Sequence, residues 1–412
     1  MGSTKNRKEF SFYVLLLFAT VLMIRSFYAG SVCFITEGQE SGKKQESEKQ
    51  LDTQEAQNDQ KDEKEFLGEE LIFWYYGEEN KDFFENCAEA FQEETGAAVS
   101  VIEQQSINYF HGVYEASKTG EGMPDAYLLP SEQLEQAYLT QILRANEKRL
   151  PENCAKMAES ACDFRGDGEL YGYPLYFNTS VFAYRTDYFE TAPASIQEII
   201  DYAVEHEPTE GVEKLLEWDL SDPCSNFAFL GNAIIFQKEE GCITPEYREE
   251  EFEALKTFFG NLTAVIALDE EEQSSRKVAE DFAGGKTVAV LLPAEKLGEI
   301  GSNCGVEMLP KLNEELDMCA LSETTVVCVN GMTEKNQAAQ EFAAYVSSQS
   351  QVENLNEMTG HIPVIKTALN GELQKTAWLQ YESGREKPDG LNVTDFWVKF
   401  QSQALKVWHD AE

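Results

Sequence analysis

Between Leu71 and Ile102 the chain reads LIFWYYGEENKDFFENCAEAFQEETGAAVSVI. Leu71 to Tyr76 is a short apolar and aromatic run ended by Gly77, the pattern of a buried strand. Asn80 stands where a helix cap is favoured, and Phe83, Phe84, Cys87, Ala88, Ala90 and Phe91 recur at helical spacing. Thr95-Gly96 closes that helix, because glycine accepts the left-handed backbone that ends helices. Val99-Ser100-Val101-Ile102 supplies the next strand. Strand, helix and strand in this order form the unit of a parallel sheet. Working outward, a second helix near 108–117 stops at Gly120 and Gly122, and Pro124 to Leu129 gives a third strand. Ligands of open α/β sheets sit beyond the carboxyl ends of the strands. Gly77-Glu78-Glu79 and Pro130-Ser131-Glu132 are therefore the first candidates for ligand contact.

The same alternation continues downstream. Tyr171 to Tyr176 and Val181 to Tyr184 read as strands on either side of a polar break at Asn178-Thr179. Val288 to Leu292 and Thr325 to Val329 are two more, and helical patterns run from Gln337 to Ser347 and from Thr394 to Trp408. No internal repeat of fixed period is present.

The chain has 412 residues, 42% of them hydrophobic, enough for a large buried core in two or three domains. Lys and Arg total 33 against 74 Asp and Glu, a formal net charge of -41. A field of that sign repels phosphate backbones, which excludes nucleic acid as a partner. None of the nine cysteines forms a CxxC pair, so the usual zinc and thiol-redox spacings are missing. Cys328, inside Val326-Val327-Cys328-Val329, reads as a small buried hydrophobe, and Cys87 lies on the apolar side of a helix. An oxidising exterior would permit Cys154 and Cys162 to bridge, although spacing alone does not fix the geometry. Gly284-Gly285-Lys286-Thr287 invites comparison with a phosphate loop, but Glu280 stands where that motif needs glycine. GxSxG, HExxH and GxGxxG are absent, and the four histidines are scattered. A binding protein without catalytic site, metal or cofactor is expected.

Lys5, Arg7 and Lys8 precede an uncharged apolar run from Phe10 to Ile24, and after Arg25 the segment Ser26 to Ile35 is again mostly apolar. Three readings share this pattern. A cleaved signal peptide finds a poor cleavage site at Phe27-Tyr28-Ala29. A lipoprotein signal ending at Cys33 would have Gly30 and Val32 where an aliphatic and a small residue are usual. An uncleaved anchor with its basic end inside follows the positive-inside rule, and this reading fits best. All three place the rest of the chain outside the cytoplasmic membrane. Residues 1–35 are thus assigned to a signal or membrane anchor. Residues 36–69, almost free of apolar side chains, are assigned to a disordered polar tether.

Several segments, in order, resemble the family 1 extracellular solute-binding proteins of ABC importers, the group like maltose-binding protein. Phe91-Gln92-Glu93-Glu94-Thr95-Gly96 ends the opening helix, and Gly120-Glu121-Gly122-Met123-Pro124-Asp125 is similar to the family's glycine-rich turn. Gly168 to Pro174, Tyr184-Arg185-Thr186-Asp187, Phe282 to Val290, Gln340 to Ala343 and Gly360-His361-Ile362-Pro363-Val364 follow. Arg185 replaces the family's common asparagine. The resemblance runs from about Leu71 to the C-terminus. It implies an α/β fold of two lobes, each a mixed sheet flanked by helices, with a ligand cleft between them. Lobe 1 would hold 70–177 and 327–372, and lobe 2 would hold 178–326 and 373–412. The lobes would hinge shut on a small polar ligand, most simply a sugar, and a monomer would deliver it to ABC permease subunits in the membrane.

Carried over by position, the family's contact sites fall on Glu78, Glu79, Glu132, Asn178, Asp222 and Trp397. Tyr76 and Tyr176 are added as nearby aromatics. Aromatic faces stack on sugar CH faces, while carboxylates and amides bond the hydroxyls. Trp74 reads as core. The maltodextrin platform set is not preserved: Leu129 stands at one aromatic platform, Cys224 at a tyrosine, and Glu79 and Gln133 at two basic residues. The surplus of acid near the cleft would suit a cationic ligand or an amino sugar. A surface sensor or adhesion protein that kept the fold and lost transport is the alternative.

Overall fold

The computed structural model describes residues 65–206, 210–263 and 274–411, with the side chains of 410 and 411 left aside. The expected membrane segment, and the tether as far as residue 64, lie outside these residues. Among the described residues no helix is long and apolar enough to cross a membrane. The tether ends earlier than expected. Phe66 is buried in the same cluster as Leu71 and Phe91, and its N–H donates to Thr95 O at 3.0 Å. One large apolar side chain in a polar run is enough to draw that turn onto the body.

Twelve strands are present among the described residues: β1 (Glu70–Tyr75), β2 (Ala98–Glu103), β3 (Ala126–Pro130), β4 (Tyr173–Arg185), β5 (Lys214–Glu217), β6 (Ile234–Glu239), β7 (Cys242–Tyr247), β8 (Thr287–Pro293), β9 (Cys304–Glu307), β10 (Leu321–Val329), β11 (Ile362–Pro363) and β12 (Arg385–Glu386). The opening unit is as read. β1 pairs in parallel with β2 and β3, with the helix Lys81–Thr95 between β1 and β2 and Gly96 left-handed at φ 88°. The sheet runs β2-β1-β3-β10-β4-β8-β5, with β9 and β11 also on β4 and β12 on β10. β10 is antiparallel to both β3 and β4, so the sheet is mixed. β6 and β7 form a separate hairpin. Its turn residues Glu240 and Gly241 both have positive φ, at 51° and 79°, the backbone that a two-residue hairpin turn requires.

Two local expectations are corrected. Asn178-Thr179 is no break: β4 runs unbroken through it. The polar residues mark a change of partner, since Tyr173 to Thr179 pair with β10 whereas Ser180 to Tyr184 pair with β8. Asn80 does not cap its helix with its side chain. The turn Glu78–Asn80 already gives it helical dihedrals of −83° and −12°, and its Nδ2 donates to Tyr76 O at 3.0 Å instead. Pro174, which has no N–H for the ladder, sits where the β4–β10 register shifts, with Thr325 opposite Tyr176 and Val326 opposite Pro174.

Both faces of the sheet are covered, which is why its central strands read as unbroken apolar runs. Along β3, Ala126 and Leu128 enter one cluster with Phe73, Phe84 and Phe342, while Tyr127 and Leu129 enter another with Val113 and Cys328. Beyond the change of partner, Phe182 and Tyr184 of β4 and Ala289 and Leu291 of β8 build a third cluster. Helices Ile196–Glu205, Pro223–Leu230, Glu249–Thr263 and Val393–Ala411 close over it. The eight described cysteines are free thiols. Cys154 packs against the first cluster and Cys162 lies within the second, so the bridge considered between them is not formed. Burial pushes the Cys154 thiol up to about 12.

Candidate functional site

Where β4 leaves one half of the sheet for the other, Asn178, Thr179 and Ser180 form a wall of a cavity of about 720 Å³. Pro293 ends β8 and Glu295 follows it, and Leu321 and Glu323 come from β10. Asp219, Asp222, Pro223 and Cys224 belong to the turn and first residues of the helix Pro223–Leu230. Ser275, Lys387 and the face Thr394, Trp397, Val398 and Gln401 complete the lining. Three of the sequence-derived candidates, Asn178, Asp222 and Trp397, are therefore brought together here.

Each polar wall residue has a distinct state. Asp222 caps the helix: its carboxylate accepts from Cys224 N at 3.1 Å, Ser225 N at 2.9 Å and Ser225 Oγ at 2.7 Å. Burial nevertheless pushes its pKa above the ordinary value, with the charge on Glu323 adding to the rise. Asp219 is held by Ser221 Oγ at 2.6 Å and Ser275 Oγ at 3.1 Å. Gln401 is fixed between Leu220 O and Asn226 Nδ2. Trp397 packs edge-on against Phe396, with ring centroids 5.0 Å apart, and against Phe400 at 5.5 Å. Its Nε1 is buried without a hydrogen-bond partner, as is Thr179 Oγ1.

A lysine that sequence reasoning missed also lines the cavity. Lys387 Nζ lies 2.9 Å from Glu132 Oε1, pairs with Glu323 Oε1, and stands 5.5 Å from the Trp397 ring centroid. Burial alone would lower its pKa, but Glu132 and Glu323 reverse that and hold it well above the usual lysine value. Burial likewise works against the charge on Glu323, and Lys387 overcomes it, so the Glu323 pKa is lowered. Cys224 Sγ also donates to Glu323 at 3.5 Å. Glu132, a sequence-derived candidate, thus reaches the cavity through Lys387.

The other candidates lie elsewhere. Tyr76 lines a second cavity of about 480 Å³ with Tyr109, His111 and Gln133, and Thr394 borders both cavities. Tyr176 is buried and stacked on His361, with centroids 3.9 Å apart and planes 5° from parallel. Glu79 is exposed and stands 3.6 Å from His361 Nε2, a partner that lowers its pKa. Glu78 is exposed and lines neither cavity. Trp74, read as core, packs partly buried against the second cluster. Among the described residues no group of three or more His, Cys, Asp or Glu is arranged to hold a metal ion.

A helix-flanked mixed sheet in two halves that share one long strand, with a polar and aromatic cavity where that strand changes partners, is the build of a two-lobed solute-trapping protein. Residues 86–380 match the family described as bacterial extracellular solute-binding protein, and the chain belongs to that family. It is 22% identical over 364 residues, 82% of this chain and 85% of the other, to the galactooligosaccharide-binding protein of Bacillus subtilis. The maltose-binding periplasmic protein of Listeria monocytogenes, solved with maltose, shares the fold with a TM-score of 0.68 at 17% identity, covering 84% of this chain and 93% of that one. A Streptococcus pneumoniae protein solved with maltopentaose does so with a TM-score of 0.67 at 16% identity, covering 83% and 95%.

Proposed function

We propose that this chain is the extracytoplasmic capture subunit of an ABC importer for a sugar or oligosaccharide, and that it binds without chemistry. The observation that carries the reading is the cavity itself: an indole at one wall, with hydroxyl, amide and carboxylate groups around it. Those are the groups that hold a saccharide, flat CH faces on the ring and hydroxyls on the polar wall. The carbohydrates named for the similar proteins, galactooligosaccharide, maltose and maltopentaose, agree with it. Asn178 and Trp397 would touch the ligand directly and Glu132 through Lys387, with Tyr76 in the adjoining cavity meeting a longer ligand. Asp222 would shape the site from the helix end. Glu78, Glu79 and Tyr176 are left at the rim or behind it.

In this reading the lobes comprise 70–177 with 327–372 and 178–326 with 373–412, and β4 carries the hinge between them, because its partner changes between Thr179 and Ser180. The N-terminal segment would tether the body outside the cytoplasmic membrane, beside permease subunits. The test is thermal unfolding and calorimetry against maltooligosaccharides, galactooligosaccharides and polyamines. A ligand selective for the native state at about 1,000 times its Kd adds roughly 4 kcal/mol of stability. At least one saccharide is expected to raise the melting temperature. A response to polyamines with none to any saccharide would overturn the assignment.

A further inference from the structure

We propose that Lys387 sets the charge specificity of this cavity, its ammonium filling from within the chain the place a cationic ligand group would take. The proposal deepens, and rests on, the saccharide reading of the same site. Lys387 Nζ is enclosed by Glu132 at 2.9 Å, by Glu323, and by the Trp397 ring at 5.5 Å, with its side chain 14% exposed. Carboxylates on two sides and an aromatic face on a third are the parts from which ammonium sites are built. Of the carboxylate groups around the cavity, Glu132 is already held by Lys387 through Oε1, its Oε2 being buried without a partner, and Glu295 stands 3.9 Å from His361 Nδ1. Asp219 and Asp222 are turned onto serine hydroxyls and backbone N–H groups.

A second, independent observation says what the remaining space wants. Thr179, 4% exposed on the cavity wall, has an Oγ1 without a hydrogen-bond partner, and the Trp397 Nε1–H is buried in the same condition. The indole N–H needs an acceptor, and the threonine hydroxyl can donate or accept. A sugar hydroxyl does both and satisfies either group. An ammonium only donates, so it cannot answer the indole, and Lys387 already occupies the space between Glu132 and Glu323. At this point of the wall Lys387 offsets part of the acidic surplus that would suit a cationic ligand. The cavity accepts uncharged polyhydroxyl ligands and refuses their amino counterparts.

The experiment compares wild type, Lys387→Arg, Lys387→Ala and Lys387→Met by calorimetry and thermal unfolding. The probes are neutral malto- and galactooligosaccharides, glucosamine oligomers of matched length, and propylammonium chloride. Wild type is expected to prefer the neutral saccharide over its amino counterpart by at least tenfold, and Lys387→Arg to keep that preference. Lys387→Ala should lose most of the preference and acquire saturable stabilisation by propylammonium that wild type lacks. Lys387→Met keeps the aliphatic stem without the charge and is read in the same way if the alanine variant does not fold. The proposal falls if wild type binds glucosamine oligomers as tightly as neutral ones, or if neither variant gains a propylammonium response. The two readings separate cleanly. A wild type that binds no saccharide, with the propylammonium gain intact, removes the sugar assignment and leaves Lys387 as the occupant of an ammonium site.

Discussion

Asp222 offers a test in which geometry and electrostatics point in opposite directions. Its carboxylate accepts three hydrogen bonds at the first turn of the helix Pro223–Leu230. Replacing it by alanine removes a helix cap, worth about 1 kcal/mol. It also strands Ser225 Oγ and two N–H groups in partly buried surroundings, for about 1 kcal/mol more. With about 2.1 cal/mol/K of unfolding entropy per residue over the folded body, a loss of that size lowers the melting temperature by roughly 3 °C. Asparagine keeps an oxygen at the cap and discards the charge. The sign follows from the direction of the shift. Burial raises the folded pKa of Asp222 above its ordinary 3.8, despite the hydrogen bonds. The folded state then holds this proton more tightly than the unfolded state, so the contribution of Asp222 to stability is greatest at low pH. It declines as pH rises from the unfolded value through the folded one. Asp222→Asn removes that decline. Urea unfolding from pH 4 to pH 7 should show Asp222→Asn gaining on wild type as pH rises and lying within about 0.5 kcal/mol of it or above it at pH 7, with Asp222→Ala about 2 kcal/mol below. Affinity for a neutral saccharide should change less than threefold in Asp222→Asn, because both oxygens already face the helix. The reasoning is refuted if Asp222→Asn loses ground to wild type as pH rises, which would mean that the charge itself stabilises the helix end.

Trp397→Ala should weaken saccharide binding by about 2 kcal/mol, roughly thirtyfold in Kd, by calorimetry, since it removes the one indole that lines the cavity among the described residues; an unchanged Kd would take the ring out of the site. Lys238 on β6 bridges Glu135 at 3.0 Å and Asp389 at 2.9 Å, joining the hairpin to the segment after β3. Lys238→Met should cost no more than about 1 kcal/mol of stability, and the difference should shrink in 1 M NaCl, where the Debye length is about 3 Å; a salt-independent loss would point to packing instead. Among the described thiols Cys242 is the exposed one, while Cys87, Cys162 and Cys328 are buried. A thiol reagent should therefore label Cys242 first and the buried three only in denaturant, with Cys154 and Cys162 remaining unbridged by mass in the oxidised protein.

What the sequence made legible follows a physical rule: features set by neighbours within a few residues could be read, and features set across the fold could not. β1, its helix and β2 are local patterns of apolar spacing closed by Gly96, and they stand where expected. Asn80 failed as a side-chain cap because a turn just before it changed its backbone, a cue that residue type does not carry. Asn178-Thr179 looked like a break because polar residues in a strand usually mark its end. Here they mark a strand that goes on while its neighbours change, and the cavity that results is what makes polar side chains tolerable at that point. Asn178, Asp222 and Trp397 were reached through family resemblance by position. Lys387 was not, because nothing around it in sequence announces a site.

Lys387 shows what an inventory of charges along the sequence leaves out. Glu132, Glu323 and Lys387 come from three distant stretches of chain, and only the crossing of β3, β10 and the segment after β12 assembles them. Counted along the sequence, the acids near the cleft suggest a cationic guest. Assembled, Glu132 and Glu323 are held by an internal cation, Asp222 by a helix cap and Asp219 by serine hydroxyls, while Glu295 also lines the wall. A buried carboxylate needs its partner whatever the ligand is, because leaving it uncompensated costs several kcal/mol. The acid count therefore measures in part how the cavity is held in shape, and among the groups left without partners Thr179 Oγ1 and Trp397 Nε1 call for a hydroxyl, which both donates and accepts, while Glu132 Oε2 calls for a donor.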